Sequence, residues 1–317
     1  MAFAGSNQDQ YVNLTNASVD IGSGPPVPLA PNGQRIYLND GSFPNSVFTW
    51  PPMTDAPGAR ACVSIRPPLY ELINPTMYPD LANELDNFLK AAPPGPPSLV
   101  ALWHEASGDN ENGPGLKQNC GANKNNICRG PGGIYADYFA SLDSGFSGQG
   151  GASGLLKSAQ SFVQQRVQAL NAANPGIANV KVGAVEVLSK AKPSDLASTI
   201  SDWMAGGLDF YAADVYDSSD ALAVPGTLLD TFQQVCTTVN GGTVPTICVT
   251  ETNSRFPGRR PFWFTSVWSW LTTNGYTSDS VCFLTYWNPA GLESGAWIPD
   301  DWATIDSLYG IFAESSP

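Results

Sequence analysis

Six apolar runs in this 317-residue chain end abruptly in ionisable or aromatic side chains. Arg66-Pro67-Pro68 closes ACVSI, and His104-Glu105 closes SLVALW. Glu186 stands near the end of VKVGAVEV, and Asp214, Val215 and Tyr216 end the run that begins LDFYAA. Glu251, Thr252 and Asn253 follow PTICVT, while Tyr286, Trp287 and Asn288 finish VCFLTYWN. A carboxylate beside an apolar strand must be solvated or paired, so such positions stand out. Glu105 and Glu251 are the two glutamates placed directly after such runs. One carboxyl can give and take a proton while the other attacks carbon or activates water. The chain has a single histidine, His104. Zinc sites of the three-histidine or two-histidine-plus-glutamate type therefore cannot form within it, and acid–base chemistry falls mostly on carboxylates.

These residues need elements that bring distant positions together. The sequence alternates strand-like and helix-like segments from residue 61 onward. Strands are predicted at 61–66, 98–104, 180–187, 208–215, 245–250 and 281–287, each nearly continuous in apolar residues. Between them lie helices at 77–92, 154–172, 194–205, 226–239 and 261–273, with a last one at 302–313. Leu81, Leu85, Phe88 and Leu89 share one face of the first. Ser194 is the expected N-cap of the third, and Pro261 sits in the first turn of the fifth. Repeated βα units with apolar strands mean a parallel sheet covered by helices. Two upstream strands, at 35–39 and 46–50, bring the expected total to eight. The reading is a single (β/α)8 barrel domain over 1–317 with an irregular N-terminal third, 1–34 having no regular element. A long Gly/Asn-rich loop is expected over 106–153, on the side of the active site. An open doubly wound sheet is the alternative, weakened because no Gly-rich phosphate loop follows any strand. In a barrel of this kind the C-terminal strand ends build the active site, where the residues above stand.

Composition narrows the partners. Twenty-eight acidic side chains against 15 basic give a formal charge of −13, which argues against nucleic acid and against an anionic membrane surface. No run of 18 apolar residues suggests a membrane span. The first ten residues lack a basic region and an apolar core, so no signal peptide is expected within this sequence. The acidic, lysine-poor, Trp/Gly/Ser/Thr-rich make-up nevertheless reads as extracellular or virion-associated, and as a monomer. Gly (31) and Pro (27) are frequent enough to predict long, stiffened loops rather than disorder. Six cysteines lack metal-type spacing; only Cys120–Cys128, in the polar loop, is expected as a disulfide. Cys62, Cys248 and Cys282 read as buried small hydrophobes. The DNENG run at 109–113 does not match an EF-hand loop, and no metal or other cofactor is expected.

The ordered set WHE at 103–105, DFYAADVY at 209–216, VTET at 249–252 and TYWN at 285–288 resembles the retaining glycoside hydrolases of clan A. The His-Glu pair is most similar to the family 26 β-mannanase-type enzymes. The resemblance covers roughly residues 60 to 290 and rests on the order of short motifs. It implies the acid/base glutamate after the fourth strand, here Glu105, and the nucleophile after the seventh, here Glu251. It further implies that His104 hydrogen-bonds near the sugar or the nucleophile, that Tyr216 orients Glu251, and that Trp287 floors the subsite. Arg66, Trp103, Asp214 and Asn288 complete the expected substrate-binding set. Asp214 stands where the family often has a histidine, a departure in that local network. The implied activity is endo-acting hydrolysis of a β-linked mannan-like or other plant or cell-wall polysaccharide. The alternative is a catalytically silent glycan-binding barrel of a virion or cell surface.

Other readings compete for the same residues. Glu186 and Asp214 read first as structural, and either replaces Glu105 or Glu251 if the strand count shifts. Trp263, Trp268 and Trp270, at helical spacing, read as core, whereas Trp50 and Trp297 are candidates to stack on sugar rings.

Overall fold

The computed structural model describes residues 18–19, 27–28, 33–38, 50, 60–65, 67, 69–103, 105–106, 151–188, 196–197, 200–217, 224–254, 256–276 and 284–286. Two short strands, β1 (Ser18–Val19) and β2 (Val27–Pro28), form an antiparallel pair apart from the main sheet. The main sheet has seven parallel strands in chain order: β3 (Gly33–Leu38), β4 (Arg60–Ile65), β5 (Ser98–Leu102), β6 (Val180–Val187), β7 (Phe210–Asp217), β8 (Ile247–Ser254) and β9 (Leu284–Tyr286). Helices α1 (Leu69–Leu72), α2 (Pro79–Lys90), α3 (Gly151–Ala173), α4 (Pro225–Val239) and α5 (Arg260–Thr273) cover it.

Each long helix follows from its local sequence. In α2, Pro79 opens the first turn, Asp80 meets the positive end of the helix dipole, and Lys90 stands in the last turn. Its buried stripe is Leu81, Leu85, Phe88 and Leu89, and four prolines from Pro93 to Pro97 prevent it from continuing. Proline opens α4 and α5 as well. Trp263, Trp268 and Trp270 of α5 are buried, as their spacing predicts, and the Trp270 indole donates to Asp230 Oδ1 of α4 at 2.7 Å. Each such large apolar side chain contributes roughly 1.5–3 kcal/mol on burial.

The strands separate two apolar layers by alternation. Residues such as Val63, Val100, Val182, Tyr211, Val249 and Ile247 face the helices in one large core. Residues of opposite parity, Cys62, Leu99, Ala101, Val185, Phe210, Ala212 and Cys248, meet one another in a second cluster. A sheet whose other face closes on itself in this way is curled, and that face is the interior. There the Phe210 ring lies over Gly183, where a Cβ would fall 2.5 Å from ring carbons.

Several expectations are corrected. β3 pairs directly with β4, so no strand at 46–50 lies between them. Of that segment only Trp50 is described; its indole stacks on Phe88 with centroids 4.4 Å apart and donates to the Phe88 carbonyl at 2.6 Å. It is therefore a packing residue on α2. The sheet shows seven strands among the described residues rather than eight. β7 and β8 run longer than their apolar stretches, to Asp217 and Ser254, because their polar side chains find partners on the neighbouring strand and helix. Glu251 consequently lies inside a strand. Helix α3 begins at Gly151, within the stretch expected as loop. Of the predicted helix 194–205, residues 196, 197 and 200 are helical, and 201–203 form a 3-10 turn. The predicted helix at 302–313, Trp297, and the Cys120–Cys128 pair lie outside the described residues; Cys62, Cys236 and Cys248 are buried.

Candidate active site

The C-terminal edge of the parallel sheet gathers polar side chains above the interior apolar cluster. β5 ends at Leu102, and the next residues form a turn stitched to both neighbouring strands. The Trp103 amide donates to Ile65 O of β4 at 2.9 Å, and the Glu105 amide donates to Val185 O of β6 at 2.8 Å. Trp103 and Glu105 have φ of 48° and 55°, the two non-glycine residues in the left-handed region among those described. Side chains with a Cβ rarely adopt this backbone, and such strain gathers at functional sites. The Trp103 indole is 1% exposed and donates to the Pro67 carbonyl at 2.9 Å, which anchors the turn. Its ring is thus committed to the core. Glu105 is half-buried.

The opposite wall comes from β7 and β8. Alternation continues inward from Phe210 and Ala212 to Asp214 and Tyr216. On β8 the alternation breaks. Ala213 pairs with Val249 and Asp214 pairs with Glu251, so Thr250 is an extra residue opposite β7. β9 sees the same insertion: Leu284 pairs with Val249, and Tyr286 pairs with Thr252. Both neighbours thus register a β-bulge at Thr250–Glu251. Bulges re-aim side chains and recur beside active sites. Here the bulge lets two successive residues face the interior. Thr250 Oγ1 donates to Asp214 Oδ1 at 2.6 Å, and Glu251 Oε2 accepts a hydrogen bond from the Tyr216 hydroxyl. Glu251 is 5% exposed and Asp214 fully buried.

The outer side of the same strands is clamped. Thr252 Oγ1 donates to Val215 O at 2.9 Å and accepts from the Trp263 indole at 3.0 Å. Asp217 accepts from Ser254 Oγ at 2.8 Å and pairs with Arg259 at 3.0 Å, while the buried Arg260 donates Nε–H to Ser254 O at 2.9 Å. Arg259 also lies over the Phe256 ring, 5.0 Å from its centroid. Hydrogen-bonded charge is how buried carboxylates and guanidinium groups are tolerated.

Of the residues expected at the site, Glu251, Tyr216 and Asp214 come together on the interior face, and Glu105 stands at the same sheet edge. Glu186 does not join them. It points to the helices with Val182 and Ala184, close enough to Cys236 of α4 that its carboxylate adds to burial in pushing that thiol well above its usual range. Arg66, His104, Trp287 and Asn288 lie outside the described residues, as does the Asn253 side chain. Among the described residues no group of three metal-ligating side chains occurs, and no helix is long and apolar enough to cross a membrane. Sequence reasoning missed Thr250, Asp217, Ser254, Arg259 and Arg260. The polar run 250–254 opposite DVYD was a usable signal, since such a run continues a strand only with partners.

No family profile matches the chain, and no curated protein sequence does so either. Among solved structures it is similar to a GH26 beta-mannanase from Bacteroides ovatus, BoMan26A, with a TM-score of 0.50 and 12% identity. The similarity spans 95% of this chain and 81% of that one. At that identity the likeness is one of fold: a curled parallel sheet wrapped in helices.

Proposed function

We infer that this protein is a retaining glycoside hydrolase acting within β-linked polysaccharide chains, of mannan-like or other plant or cell-wall type. The observation that carries this reading is Glu251, an almost fully buried carboxylate aimed inward by the bulge and held by the Tyr216 hydroxyl. Supporting it, the strands that present Glu105 and Glu251 are three places apart in the sheet. That is the separation of a fourth- and seventh-strand pair. The fold of a β-mannanase is a further support. The reading includes an eighth strand that closes the sheet, within a single catalytic domain.

The chemistry follows from two carboxyls with different surroundings. The Glu251 carboxylate attacks the anomeric carbon while Glu105, half-buried and nearer solvent, protonates the departing glycosidic oxygen. A covalent glycosyl-enzyme results. Glu105, now ionised, takes a proton from water, which displaces Glu251 and leaves the anomeric configuration unchanged. Tyr216 fixes the Glu251 carboxylate in its attacking orientation. His104, Arg66, Trp287 and Asn288 contribute the remaining sugar contacts, and no cofactor is required. The protein acts as a monomer, secreted or virion-associated.

A polysaccharide panel, with products read by mass and anomeric configuration, tests the proposal. Oligosaccharides released first as the β-anomer are expected. Binding without turnover across the panel points instead to a glycan-binding barrel, and initial α-anomers indicate inversion.

A further inference from the structure

We propose that Thr250 and Asp214 are positioning residues for Glu251, acting through the bulge rather than on the sugar; this rests on Glu251 being the nucleophile. Three observations converge. First, both β7 and β9 register one extra residue in β8 between Val249 and Thr252, so the bulge belongs to β8 itself. Second, the residues that flank the bulge are pinned to opposite faces. Cys248 packs in the interior cluster, whereas Thr252 is tied to Trp263 and to the Val215 carbonyl on the helix side. Three residues separate these anchors, a spacing that in a regular strand would put both on one face; that they face opposite ways requires the bulge, which turns both Thr250 and Glu251 inward. Third, the inward turn of Thr250 is secured by one strong bond, its hydroxyl donating to the fully buried Asp214 carboxyl at 2.6 Å.

Asp214 is also the register partner of Glu251. The Thr250–Asp214 bond thus connects the residue before Glu251 to the residue opposite it, and Tyr216, two places along β7, holds the carboxylate itself. Two successive tethers on one strand then define where Glu251 points. Removing the lower tether lets the bulge migrate or relax, which moves the carboxylate while leaving the sugar contacts in place. Asp214 therefore serves at this position without touching substrate.

The effect belongs in kcat. A displacement of about 1 Å at a reacting group costs on the order of 100-fold in rate, whereas binding of the rest of the glycan is untouched. The test compares wild type, Thr250→Val, Thr250→Ser, Asp214→Ala and the Thr250→Val/Asp214→Ala double variant on the best substrate of the polysaccharide panel. Folding is checked by circular dichroism and thermal unfolding. Thr250→Val, which keeps shape and loses the donor, should lower kcat about 10- to 100-fold with KM within about 2-fold. Thr250→Ser should restore most of it, and the double variant should be no slower than Asp214→Ala, because both break one tether. Wild-type kcat in folded Thr250→Val, no rescue by Thr250→Ser, or multiplicative losses in the double variant would each overturn the proposal. Should Thr250→Val not fold, the Thr250→Ser and Asp214→Ala rates decide it: Asp214→Ala must lose kcat and Thr250→Ser keep it. If the wild-type protein hydrolyses nothing on the panel, the hydrolase reading itself fails, a result distinct from all of these.

Discussion

At the end of β5 the backbone does the positioning, and at the end of β8 the side chains do. Glu105 belongs to a turn whose amides bond to strands on both sides, and it and Trp103 sit in left-handed conformations. Glu251 lies in extended strand, turned by a bulge and held by Tyr216, with Asp214 and Thr250 bonded beside it. The first arrangement leaves its carboxyl half-buried. The second fixes a carboxylate almost out of solvent. The two solutions suit the two roles proposed for them: an acid/base must meet leaving group and water in turn, while a nucleophile needs one direction of attack.

Variants break this comparison in graded steps. Glu251→Ala removes the proposed nucleophile, and kcat should fall at least about 10,000-fold with the fold intact by circular dichroism. Glu105→Gln should cost about 100- to 10,000-fold on polysaccharide, the range of general acid–base assistance. Substrates whose leaving group needs no proton should suffer much less, which separates the two glutamates kinetically. Tyr216→Phe deletes a hydrogen bond to a carboxylate, worth about 1.5–3 kcal/mol, so a kcat loss of about 10- to 100-fold is expected. On the β5 side, Trp103→Phe loses the bond to the Pro67 carbonyl. Thermal unfolding should show about 1 kcal/mol lower stability, with a kcat loss smaller than that of Tyr216→Phe. Arg166→Met provides the control. Its bidentate pairing with Asp86 ties α3 to α2. Because Arg166 is partly exposed, the cost should be about 1 kcal/mol or less, with kcat unchanged.

The contrast also explains what could be read before the structure. Apolar runs and amphipathic stripes such as Leu81–Leu85–Phe88–Leu89 announced most of the β and α elements, since burial on one face imposes a period. The position of Glu105 just past β5 followed from those runs, whereas Glu251, expected after its strand, lies inside β8. The bulge did not, because neither Thr250 nor Glu251 carries a local signature such as glycine. The left-handed turn was equally hidden: tryptophan and glutamate disfavour that backbone, and amide bonds to Ile65 and Val185 with the indole bond to Pro67 hold it in place. β7 and β8 were read too short because Asp217 and Ser254 look like loop residues until Arg259 and Arg260 are seen to satisfy them.

The central claim is that Glu251 attacks the sugar. A fluorinated glycosyl fluoride that forms the covalent stage quickly and leaves it slowly, matched to the sugar released from the panel, tests this by intact mass and peptide mapping. One glycosyl adduct per chain, on the peptide that contains Glu251 and absent from Glu251→Ala, is the predicted result. An adduct on Glu105 or another carboxylate, or turnover with inversion and no adduct, would contradict it.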